Sequence, residues 1–169
     1  MRGSDPRSER SGRRVGRGLA VVAIGLLAAC EGVTIEIVQP ASGDGGIGAP
    51  GVVLWELRST PFDGDGCPSP AELAPSGAPS WISPTDASGG ADEVVLTPDR
   101  RQVVSAVGRD ERCGALFYGR ACIGPEAPPR VVSLVTCPIG DAACLDLRWT
   151  PADRAALSCT GVCTAGRCE

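Results

Sequence analysis

The side chains in this sequence with the most evident chemistry are nine cysteines: Cys30, Cys67, Cys113, Cys122, Cys137, Cys144, Cys159, Cys163 and Cys168. Thiols can pair as disulfides, hold a metal or act as nucleophiles, and the remaining composition decides among these. There is no histidine, which removes Ser-His-Asp, Cys-His and H-E-x-x-H arrangements together. No two cysteines stand in C-x-x-C spacing, so a zinc site is disfavoured and disulfides are expected. The glycines of residues 43–51 lack both a lysine and a strand-to-helix setting, so they form no phosphate-binding loop. Nine is odd, and pairing leaves one thiol over.

Carboxylates are the second candidates. Asp63-Gly64-Asp65-Gly66 alternates acids as a calcium loop does, but the later ligands and the closing glutamate are missing, which favours a solvated turn. Asp92-Glu93 and Asp110-Glu111 are paired acids of the kind used in acid–base catalysis. Adjacent acids beside strands more often face water in turns. The expectation is no catalytic residue, no metal and no cofactor.

Residues 1–17 carry six arginines against Asp5 and Glu9, and an uncharged apolar run follows over residues 18–29. That is the order of a secretory signal segment. The run is 12 residues long, whereas a membrane-spanning helix needs about 20. It ends in Leu27-Ala28-Ala29-Cys30, which resembles the lipobox of bacterial lipoproteins. The resemblance implies a diacylglycerol thioether on Cys30, cleavage between Ala29 and Cys30, and a chain tethered by lipid in the cell envelope, either periplasmic or on the outer surface. It also accounts for the odd cysteine, leaving eight thiols that can all pair.

Without residues 1–29 the chain has 10 arginines against 18 acids, a net charge of about −8 by that count. Such an acidic chain repels nucleic acid and anionic lipid. All 16 basic residues are arginine, a sign of a GC-rich genome more than of function. Aromatics make up only 4%, so the core must come mainly from Val, Leu and Ile.

Alternation of apolar and polar residues predicts strands over residues 33–38, 52–58, 93–97, 102–107, 115–118, 131–136 and 145–149. Val33, Ile35 and Ile37 share one face, as do Val53, Trp55 and Leu57, and likewise Leu145, Leu147 and Trp149. Seven short strands separated by turn residues predict a mostly β fold, an antiparallel β-sandwich with a disulfide-rich, loop-dominated C-terminal tail. Ser69-Pro70-Ala71-Glu72 and Thr150-Pro151-Ala152-Asp153 each place a capping hydroxyl before proline with an acid at the third position, predicting short helical turns. The expected organisation is a removed segment 1–29, a lipidated start with first strand and glycine-rich loop over 30–50, a sandwich body over 51–136, and a cysteine-rich segment over 137–169. The long Pro/Gly loop of residues 59–92 presents Phe62, Trp81 and Ile82 either to cap the sandwich or to meet a partner.

If residues 102–107 and 115–118 form a hairpin, Cys113 lies by its turn and Cys122 beyond the far strand end. Nine extended residues span about 30 Å, whereas bridged Cα atoms lie within about 7 Å. Those two therefore do not pair. Cys122 with Cys67, and local pairing among Cys137, Cys144, Cys159, Cys163 and Cys168, are the favoured arrangements.

The Gly-Arg-Asp-Glu-Arg-Cys turn and the Cys-Thr-Gly-Val-Cys-Thr-Ala-Gly-Arg-Cys ending resemble cysteine-rich lipoproteins of myxobacteria and related predatory or soil bacteria. The likeness covers about the last 60 residues and implies a recurring secreted module with no particular activity. The expected function is a non-catalytic binding or structural module of the cell envelope, attached to a membrane through Cys30 and meeting another envelope protein or a glycan. The competing readings are a carboxylate-only hydrolase or sugar-active domain, which needs two facing acids in a pocket, and an accessory subunit, which needs an apolar patch near Trp81.

Overall fold

The computed structural model describes residues 32–39, 49–74, 78–84, 92–96, 99–126 and 130–169. The proposed signal segment, with Ala29 and Cys30, lies outside them, as do most of the glycine-rich loop and part of the 59–92 loop.

Strands dominate. β1 (Gly32–Val38), β2 (Leu54–Pro61), β3 (Ser80–Ile82), β4 (Asp92–Val95), β5 (Gln102–Arg109), β6 (Ala115–Ile123) and β7 (Val131–Pro138) form one seven-stranded sheet in the order β3-β2-β5-β6-β7-β1-β4. A small hairpin, β8 (Cys163–Thr164) with β9 (Arg167–Cys168), stands apart. The helical elements described in full are a 3-10 turn, Pro70–Glu72, and α1, Pro151–Ala156. Both begin at the Ser/Thr-Pro motifs that predict them, and each has a full capping box, with Glu72 and Asp153 closing onto Ser69 and Thr150.

The mostly β expectation holds, but the strands are not divided between two sheets. They curl as a single sheet until edge strand β4 approaches β2 and β3 at the opposite edge. Nor is the pairing wholly antiparallel: β1 runs parallel to β7, with Ile35 opposite Val132 and Ile37 opposite Leu134. Inside the curl lies the main core, built from Val33, Ile35, Ile37, Leu57, Val104, Leu134 and their neighbours around Trp55. Trp55 is fully buried and faces Gly108 across the β2–β5 ladder. A Cβ at Gly108 would come within 2.9 Å of the indole, so glycine at this position lets the ring approach β5.

Every residue of β5 is buried, which one core cannot achieve, because alternate side chains of a strand point to opposite faces. The outer face is covered by residues 139–169. Leu147 and Leu157 join Val107 and Tyr118 in a second core, with Leu145 and Trp149 packed against it. Residues 145–149 are therefore not the predicted strand. Their alternation is real, since Leu147 is buried while Asp146 and Arg148 are exposed, but it reports one buried face and not a ladder partner. The expected disulfide-rich, loop-dominated C-terminal tail is present and forms a second layer over the sheet.

Two features depart from the sequence reading. β3, Ser80–Ile82, pairs with β2 inside the 59–92 loop, where proline and glycine density masked three strand residues. Ile82, read either as a cap of the sandwich or as a partner contact, is in the main core, 5% exposed, because its register partner is Trp55.

Candidate functional site

The outer face of β2 carries Glu56, Arg58 and Thr60, and the neighbouring positions on β5 and β6 are Ser105, Val107, Arg109 and Tyr118. On an uncovered sheet this polar face would meet water. Here the C-terminal layer closes over it and leaves a cleft of about 330 Å³ between the sheet, the Pro70–Leu73 turn and the end of α1.

At its floor Glu56 binds two guanidiniums. Arg109 Nε donates to Glu56 Oε2 at 2.5 Å and Arg58 Nε to Oε1 at 2.5 Å. Glu56 and Arg109 are almost fully buried, while the Arg58 side chain keeps 26% of its surface. Arg109 Nη1 also donates to the carbonyls of Cys113 and Leu157, both at 3.0 Å. One guanidinium thus joins β2, the β5–β6 turn and the end of α1. A buried ion pair recovers its desolvation cost only with further hydrogen bonds to its donors, and these carbonyls supply two for Arg109 Nη1.

Tyr118 lines the same cleft and is 1% exposed. Its ring meets Trp149 edge to face, centroids 5.9 Å apart. Burial pushes the phenol pKa up to about 12, with Arg120 pulling it down and Asp153 adding a small upward push. Among the described residues its hydroxyl has no hydrogen-bond partner.

Four restraints fix the covering layer. Asp153 Oδ1 accepts from the Ala71 amide at 3.1 Å, tying α1 to the 3-10 turn. Burial raises the Asp153 pKa, but hydrogen bonds from the Thr150 hydroxyl and the Ala71 and Thr150 amides outweigh it and hold the value at about 2. Cys113–Cys163 and Cys159–Cys168 fasten the β8–β9 hairpin, with Cα separations of 5.8 and 5.5 Å. The hairpin turn is Ala165-Gly166, both at positive φ, the conformation that a two-residue hairpin loop requires. A Cβ on Gly166 would meet Val53 at 2.7 Å, so the turn packs directly on the start of β2.

The other two disulfides are Cys67–Cys122 and Cys137–Cys144. The expected Cys67–Cys122 pair is therefore present, Cys113 and Cys122 are apart, and two pairs are local. Cys163 is the exception: it leaves the local set and bridges 50 residues back to Cys113, because the hairpin docks beside the β5–β6 turn.

Of the paired acids, Asp110 is a turn residue whose Oδ1 accepts from the Arg112 and Gly114 amides. Asp65 is exposed and pairs with Arg101, whose Nη1 also donates to the Gly64 carbonyl. The cleft lining holds one carboxylate, Glu56, with both oxygens bound to arginine, so it does not supply the facing acids of a carboxylate-only hydrolase. Phe62 and Trp81 are half-buried, and the large exposed apolar side chains among the described residues are Val38, Val131, Val135 and Val162.

Sequence reasoning missed Glu56, Arg58, Arg109 and Tyr118. The available signal was opposite charge at Glu56 and Arg58, two apart and so on one strand face. Nothing local shows that this face is covered. No family model matches the sequence, and neither a curated protein nor a solved structure is detectably similar to it.

Proposed function

We propose that the chain is an exported, lipid-anchored module of a bacterial cell envelope that acts by binding, not catalysis, with the cleft over Glu56 and Arg109 as its binding site. The observation that supports the anchor is the cysteine pairing. Eight of nine cysteines form four mutually satisfied disulfides, which suits an oxidising compartment and leaves Cys30 as the one thiol without an intramolecular mate. The lipobox-like Leu27-Ala28-Ala29-Cys30 places that thiol where lipid would be attached. β1 starts at Gly32, so little chain separates anchor from fold and the domain would ride close to the membrane surface. No helix among the described residues is long and apolar enough to cross a membrane.

The test is metabolic labelling with radioactive palmitate. The unsubstituted protein should incorporate label and sediment with membranes, and Cys30→Ser should abolish both. Unlabelled wild-type protein would overturn the anchor.

A further inference from the structure

The cleft supports an inference that rests on the binding reading and goes further by naming the ligand's chemistry. Its lining contributes two guanidiniums, Arg58 and Arg109, against one carboxylate, Glu56. The chain around it is strongly acidic from residue 30 onward, so a positive excess withdrawn from bulk water is a local choice and not a reflection of average composition. Arg58 is itself engaged with Glu56, and the excess is one of lining charge, not of an idle side chain. Hydroxyls of Thr60, Ser105, Ser158 and Thr160 stand around it, and Tyr118 adds a buried phenol with no partner among the described residues.

The opposite wall is apolar, with Pro70, Leu73, Val107 and Leu157. The end of α1 would ordinarily oppose an anion, because helix C-terminal carbonyls are partially negative. Arg109 already takes the Leu157 carbonyl there. The volume, about 330 Å³, lies at the lower end of small-molecule sites, which run from about 300 to 1,000 Å³. It admits a compact molecule and excludes a folded peptide or an oligosaccharide chain.

We infer that this cleft binds a small organic anion, a carboxylate carried on a compact apolar body. The carboxylate lies toward Arg58 with the Thr60 and Ser105 hydroxyls, and the apolar body lies between Val107, Leu73 and Leu157. Arg109 and Glu56 are positioning residues: they hold Arg58 and the end of α1. A neutral ligand of the same shape forgoes the charge-assisted bonds, and a cation meets two guanidiniums.

The experiment uses the exported, disulfide-intact full chain carrying Cys30→Ser, titrated by amide NMR with naphthoate, naphthamide and naphthylmethylammonium. Naphthoate should saturate and shift the amides of Ser105, Val107 and Tyr118. Naphthamide should bind at least about tenfold more weakly and the ammonium compound not at all. Arg58→Gln should weaken naphthoate by about tenfold and leave naphthamide unchanged. Equal affinity for naphthoate and naphthamide, shifts centred on Val38 and Val135, or no saturable shift would each overturn the inference, and the first comparison needs no substitution in the cleft. These outcomes are independent of palmitate incorporation, so failure here leaves the anchor standing and failure there leaves the cleft standing.

Discussion

Glu56 and Arg109, 53 residues apart in sequence, meet at 2.5 Å with both side chains withdrawn from water. Removing one member of such a pair strands the other as an uncompensated buried charge. Glu56→Ala should therefore cost about 3–5 kcal/mol. Replacing Glu56, Arg58 and Arg109 together by apolar residues of similar volume should cost much less than the sum of the single changes. Urea denaturation of the disulfide-intact proteins, arranged as a mutant cycle, reads this directly, and additive losses would count against the network.

Tyr118 is the only tyrosine in the chain, so phenolate absorbance reports it without ambiguity. With a folded pKa raised from 10 to about 12, its contribution to stability is complete below pH 10 and lost as pH rises toward 12. Absorbance should stay flat through pH 10 and rise only near 12, or jump where the protein unfolds. Tyr118→Phe should leave neutral-pH stability within about 1 kcal/mol, because the hydroxyl it removes has no partner among the described residues.

Asp153 works in the other direction. Its pKa is lowered from 3.8 to about 2, so its contribution is present above pH 3.8 and disappears as pH falls through 2. The exposed neighbours along α1 admit some solvent screening, and a loss of about 1–2 kcal/mol is expected. Acid titration followed by thermal melting should show this fall in the unsubstituted protein and a flatter curve in Asp153→Asn.

The disulfides should not be equal. Cys113–Cys163 and Cys67–Cys122 close loops of 50 and 55 residues, Cys137–Cys144 and Cys159–Cys168 only 7 and 9. Loop-closure entropy gives about 4 kcal/mol for the long pair and about 2.5 for the short pair. Cys113→Ala with Cys163→Ala should, in addition, release the covering layer before the sheet melts. Amide exchange would then quicken first at Leu147 and Leu157, whereas loss of Cys67–Cys122 should leave those amides protected.

Much of the fold can be read from local pattern. The alternation of Val33, Ile35 and Ile37 marks β1, and the Thr-Pro-x-Asp motif at Thr150 marks α1 with its cap. Both signals act within a few residues of the atoms they position. β3 was not legible because three residues carry too short a pattern, and its stability comes from pairing with β2. Residues 145–149 show the converse: alternation fixed which side chains turn inward and left open whether a sheet edge or a covering segment would receive them.

The sequence by itself determined the periodicity of the strands, the two capped turns, the separation of Cys113 from Cys122 and the odd number of cysteines. Tertiary structure alone decided that one sheet curls upon itself, that Cys163 reaches back to Cys113, and that the polar face of β2 becomes a covered cleft. The reason is range. Hydrogen-bond caps and side-chain alternation are set by neighbours in the chain, whereas the burial of Glu56 depends on residues 139–169, more than 80 positions further on, closing over its strand.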